Sequence, residues 1–149
     1  MAGATIAVAS DHAGFDLKEI LKRDLQAAGH DVLDLGTNST ASVDYPDFGH
    51  AMADAIASGK VTRGVLVCGS GIGISIAANR HPEVRAALAH DVTSARLSRE
   101  HNDANVVAFG QRSIDAETAR EALKVFLATP FEGGRHAGRV AKLSKGQTK

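Results

Sequence analysis

The chain has 149 residues, 44% of them apolar and 23% charged, the balance of a folded globular protein rather than a disordered one. Seventeen basic residues match 17 acidic ones, Trp is absent and aromatics are 4%, so neither a global positive field nor base-stacking platforms are expected, and any anion site must be local. One cysteine excludes an intramolecular disulfide, residues 1–19 lack the basic region of a secretory leader, and no apolar run nears the ~20 residues of a membrane helix; a cytoplasmic protein with no nucleic-acid and no membrane partner is expected.

In chain order, TIAVAS (5–10) reads as a short buried strand. Leu17, Ile20, Leu21, Leu25 and Ala28 then recur at helical spacing, and Gly29 supplies a stop. DVLDLG (31–36) reads as a second strand. Asp44-Tyr45-Pro46-Asp47 opens the next helix, with Pro46 suited to its first turn. Phe48, Met52, Ala55 and Ile56 form that helix's inner stripe, and Gly59 ends it. GVLVCG (64–69) is a third strand, apolar on both faces, and Ile72 to Asn79 is helical. RAALAH (85–90) is a fourth strand, after which Asp91 caps a helix running to about Glu100. NVVAFG (105–110) is the fifth strand. Asp115 to Leu127 is the last long helix, with Ala119, Leu123 and Phe126 inward. Past Pro130 come a Gly-Gly turn, a short basic segment and a polar tail.

Five successive βα units predict an α/β fold with a parallel sheet and helices on both faces, in one domain spanning 1–149 with a C-terminal basic segment at 131–149. In open α/β sheets ligands lie at the carboxyl ends of the strands. The residues expected there are Asp11 and His12, Asp44 and Tyr45, Cys68 to Gly73, His90 and Asp91, and Gln111 and Arg112, with His101 and Asn102 at a helix exit.

The loop CGSGIG is not a dinucleotide fingerprint: Gly69, Gly71 and Gly73 give GxGxG, and Ile74 stands where GxGxxG needs glycine. No lysine is present for a Walker loop. Small residues before a helix still expose several backbone N–H groups, which suit a phosphate, a carboxylate or a transient oxyanion. A tight turn needing glycine for sterics alone accounts for the same residues. Cys68, closing an apolar strand, reads either as a small buried hydrophobe or, at a helix N-terminus that favours an anionic sulfur, as a nucleophile or base. Arg135 and Arg139, four apart, share a face if that stretch is helical, and with Arg112 they suit a phosphate or form ordinary surface ion pairs. The seven His residues and single Cys show no metal-ligand spacing, so no metal is expected; His30 and His50 are expected on the surface.

SDHAGFDLK, DYPDF, CGSGIGISIAANR, SREHNDANVVAFGQR and FEGGRHAGRV together resemble the type B ribose-5-phosphate isomerases of the ribose/galactose isomerase family, from Ile6 to about Val140 and in the same order. The resemblance implies a three-layer αβα sandwich with a Rossmann-like five-stranded parallel sheet. It implies homodimers, in some members tetramers, with active sites shared between subunits. The implied reaction is cofactor-free interconversion of ribose 5-phosphate and ribulose 5-phosphate, a step of the pentose phosphate pathway, through a cis-enediolate. Cys68 is then the base; Ser70 and the N–H groups from Gly69 through Gly71 to Gly73 stabilise the enediolate. Asn102 helps hold that end of the sugar, and His101 opens the ring. Asp11 binds sugar hydroxyls, Tyr45 lines the pocket, and His12, Arg112, Arg135 and Arg139 hold the phosphate. Some members replace the cysteine with a glutamate in the glycine loop; the matching place here is Ile74, which marks a cysteine-using chain. Some relatives have threonine at Ser70, and either hydroxyl donates. The competing readings are a hexose 6-phosphate isomerase of the allose or galactose type and a non-catalytic sugar-phosphate-binding protein, which would need no thiol at Cys68.

Overall fold

The structure, a computed structural model, describes residues 4–145; the end of the polar tail, 146–149, lies outside them. Five strands, β1 (Thr5–Ser10), β2 (Asp31–Asp34), β3 (Arg63–Cys68), β4 (Ala86–Leu88) and β5 (Val106–Gly110), form one parallel sheet in the order β2-β1-β3-β5-β4. The helices are α1 (Phe15–Ala27), α2 (Tyr45–Ala57), α3 (Ile72–Asn79), α4 (Val92–Glu100), α5 (Ala116–Ala128) and α6 (Arg135–Lys145), with a 3-10 turn at His12–Gly14.

Side-chain alternation along the central strands builds two cores. Ile6, Val8, Val65, Val67, Val107 and Phe109 face one side, where they meet Leu17, Leu21 and Leu25 of α1, Ala95 of α4 and Leu123 and Phe126 of α5. Ala7, Ala9, Leu66, Cys68, Val106 and Ala108 face the other, against Met52 and Ala55 of α2 and Ile74 and Ala78 of α3. Burial on both faces explains why these strands read as unbroken apolar runs. The result is the three-layer αβα sandwich expected from the sequence. Asp91 and Asp115 cap α4 and α5, each accepting from a backbone N–H 2.7 Å away, of Ser94 and Thr118 respectively. Among the described residues no helix is long and apolar enough to cross a membrane.

Two sequence expectations change and one open condition is met. β4 is shorter than 85–90, because the Arg85 N–H donates to the Asn105 side chain at 2.8 Å instead of joining the ladder. His30 is buried, not on the surface. The register Thr5↔Asp31 sets it beside Ala4, whose carbonyl oxygen lies 3.2 Å from its Nδ1. The basic segment after Gly134 is the helix α6, so Arg135 and Arg139 do stand one turn apart.

Candidate active site

β1 and β3 are neighbours whose following helices pack on opposite faces of the sheet, so their carboxyl ends form the strand-order switch where α/β folds hold ligands. A cleft of about 610 Å³ opens there, lined by Asp11, His12, Tyr45, Cys68, Gly69, Ser70, Gly73 and Arg112, with Ile72 and Ile76 exposed at its rim. Eight of the residues singled out from the sequence thus meet in one place.

The cradle is built by the exit from β3. Gly71, at φ +78°, turns the chain into α3 and its N–H donates to Cys68 Sγ at 3.2 Å. The sulfur is buried, yet it borders the cleft and accepts a backbone N–H. Ser70 is exposed, and its Oγ accepts from the Ile72 N–H at 3.2 Å. Arg112 leans on this loop: its N–H donates to the Gly69 carbonyl at 2.9 Å, and its Nη1 lies 2.9 Å from the place a Gly69 Cβ would occupy.

Across the cleft, Asp11 caps the 3-10 turn by accepting from the Gly14 N–H at 3.1 Å. His12 is anchored through Nδ1, which accepts from the Val43 N–H at 3.1 Å, so Nε2 is the ring nitrogen left for a ligand. Gln111 accepts from the Leu17 N–H at 2.9 Å and ties the β5 loop to α1. Arg112 and backbone donors beside the thiol, with His12 across the cleft, suit a small anionic substrate with a reactive carbon near sulfur.

His101, Asn102 and Arg139 are not in this cleft. They line a separate one of about 270 Å³ with His136, Val140 and Leu143. Arg135 is exposed on the first turn of α6. His101 and His136 stack with ring centroids 4.4 Å apart and planes 15° from parallel. Burial, then the charges of Arg135 and His101, push the His136 imidazole below its ordinary value, so it is neutral near pH 7. Arg99 fixes the turn that carries His101: its guanidinium donates to the Asp103 carboxylate at 2.8 Å and to the carbonyls of Ala104 (2.7 Å) and Thr129 (3.0 Å).

Sequence reasoning missed Glu132, whose carboxylate lies 3.5 Å from His136 Nε2. It also missed the grouping of both with His101. The spacing Glu132-x-x-x-His136 was visible, but its third member stands 31 positions before Glu132.

The sandwich and its cleft define a doubly wound α/β enzyme built around a small-molecule site at the switch point. The family profile described as Ribose/Galactose Isomerase matches residues 6–143, and the chain belongs to that family of sugar-phosphate isomerases. It is 44% identical to ribose-5-phosphate isomerase B of Escherichia coli, over 93% of each chain. It is 41% identical to D-erythrulose-4-phosphate isomerase of Pectobacterium atrosepticum, over 93% of this chain and 92% of that one. The structure of ribose-5-phosphate isomerase B from Clostridium thermocellum superposes with a TM-score of 0.93 at 46% identity, covering 95% of both chains.

Proposed function

We propose that the protein interconverts ribose 5-phosphate and ribulose 5-phosphate, a reaction of the pentose phosphate pathway, with Cys68 as general base. The observation that carries this reading is Cys68 Sγ bordering the cleft while it accepts the Gly71 N–H at 3.2 Å. His12 and Arg112 take the phosphate and Asp11 the sugar hydroxyls, while Tyr45 closes one wall. His101 opens the furanose by moving the anomeric hydroxyl proton to the ring oxygen. The Cys68 thiolate then removes the C2 proton, and the electron pair passes through C2–C1 onto O1. The cis-enediolate is stabilised by Ser70 and the N–H groups of Gly69 to Gly73. Return of the proton to C1, with the O2 proton passing to O1, completes the ketose.

The second cleft completes the site from a partner subunit. In this homodimer, His101, Asn102, Arg135 and Arg139 of one protomer serve the Cys68 cleft of the other. Supporting this reading, these residues sit apart from Cys68 within one chain, α6 is largely exposed, and Ile72 and Ile76 stand 52% exposed at the rim of the cleft. A lone thiol suits a cytoplasmic setting.

The test is ribose 5-phosphate in D₂O with EDTA present, followed by NMR for ribulose 5-phosphate and for deuterium in the sugar. Turnover is expected with EDTA present and is expected to fall by roughly 10²- to 10⁴-fold in Cys68→Ala. Near-normal turnover in Cys68→Ala removes the base assignment. Allose 6-phosphate and a tetrulose 4-phosphate in parallel assays test sugar length, which the Pectobacterium relative's name makes the natural second variable. Tight sugar-phosphate binding with no turnover of any of them would make the chain a sensor.

A further inference from the structure

We infer that His101, Glu132 and His136 form a zinc site whose occupation shuts off the enzyme. Their ligand atoms all lie within 4.8 Å of one another. Among the described residues His136 Nε2, buried in a residue only 7% exposed, has no hydrogen-bond partner, and the Glu132 carboxylate lies 3.5 Å from it. An unsatisfied buried nitrogen is a cost that a metal bond removes. Zinc at ordinary bond lengths sets tetrahedral ligand atoms about 3.4 Å apart, which the Glu132–His136 pair already approaches. His101 is half-buried and Glu132 exposed, so both have room for the remaining adjustment.

The backbone holds the three ligands in place. The Glu132 N–H donates to the Glu100 carbonyl at 3.1 Å, next to His101, and the His136 N–H donates to the Gly133 carbonyl at 3.0 Å. Two imidazoles and one carboxylate are a zinc set rather than a magnesium or calcium set, and three protein ligands leave a fourth position for water or an anion. Arg135 and Arg139 oppose a cation here, so binding is weaker than at closed four-ligand structural sites. That strength suits reversible inhibition, since the metal takes the nitrogen that the ring-opening step needs. Metal binding stands independently of the proposed reaction; the inhibition rests on it.

The experiment uses the tag-free full chain, stripped with EDTA and then dialysed free of it, and titrated calorimetrically with Zn²⁺ and separately with Mg²⁺. One Zn²⁺ per chain is expected, also in Cys68→Ser, and no Mg²⁺. Glu132→Gln and His136→Gln should each weaken zinc binding by tenfold or more, about 1.4 kcal/mol. Because Glu132 is exposed, its variant remains informative even if His136→Gln fails to fold. Unchanged zinc affinity in Glu132→Gln, or loss of zinc in Cys68→Ser, overturns the site. In the isomerase assay Zn²⁺ should inhibit the parent and spare Glu132→Gln, whose basal rate should be normal. Zinc bound with the parent rate intact overturns the inhibition. A chain with no isomerase activity at all fails the proposed reaction and leaves the calorimetric result standing.

Discussion

Gly71 and Gly73 show how differently two residues of one loop are constrained. Gly71 holds φ +78°, and a Cβ there would lie 2.5 Å from Leu88 Cδ1 and 2.8 Å from the Phe109 carbonyl carbon. Backbone cannot swing aside, and the left-handed conformation alone costs about 1–2 kcal/mol for a residue with a side chain. A Cβ on Gly73 would instead strike the ring of Tyr45, which is 43% exposed and can rotate away. Gly71→Ala should therefore lower stability by more than about 2 kcal/mol in urea unfolding. Gly73→Ala should keep near-parental stability and raise KM by displacing Tyr45 from the cleft wall. Equal stability losses in the two variants would contradict this division. The glycines, Cys68 and Arg112 were all legible as candidates, because their chemistry is local to the strand ends. His12's anchor on Val43 was not, since it joins segments 31 positions apart.

At the scale of elements, the edge of the sheet is pinned by charge. Lys18 on α1 is 1% exposed, and its Nζ lies 2.9 Å from both Asp34 oxygens at the end of β2; Lys22 and the Gly36 N–H, each at 2.9 Å, also donate to Asp34. Burial pushes the Asp34 carboxyl up, but the hydrogen bonds of Lys18, Gly36 and Lys22 and the Lys18 charge outweigh it and hold the group below its usual value. The stabilisation is therefore complete above the unfolded carboxyl value of about 3.9 and is lost as pH falls through the lower folded one. Asp34→Asn should cost about 2 kcal/mol at pH 7, less than a fully buried pair because Asp34 is partly exposed. That difference from the parent should shrink as pH falls below the unfolded carboxyl value, because the unfolded state then binds the proton first; urea unfolding at about pH 7 and about pH 3 checks it. Amphipathic spacing made α1, α2 and α5 legible, and Asp91 and Asp115 marked where α4 and α5 begin. α6 was harder to read, because its residues are mostly polar and its helical face has little of the chain to pack against.

At the scale of the whole molecule, the residues implied for catalysis fall into two clefts. If a partner joins them, mixing chains restores what single variants lose. Cys68→Ala and His101→Ala, unfolded together and refolded, should regain roughly one quarter of parental activity: half the dimers are mixed, and each of these holds one intact site of two. Each variant refolded alone should stay inactive. No recovery in the mixture would place the site within one chain.

From the sequence alone came the α/β class, the helix and strand sequence, and the group of residues at the strand ends, because periodicity, caps and loop chemistry are local properties. The tertiary structure alone decided the strand order β2-β1-β3-β5-β4, and with it the switch point between β1 and β3 where Asp11, His12, Cys68 and Arg112 meet. It also decided that His101 meets Glu132 and His136 rather than Cys68. The reason is that pairing between strands and packing between helices join residues far apart in the chain, and no local pattern records which partners they choose.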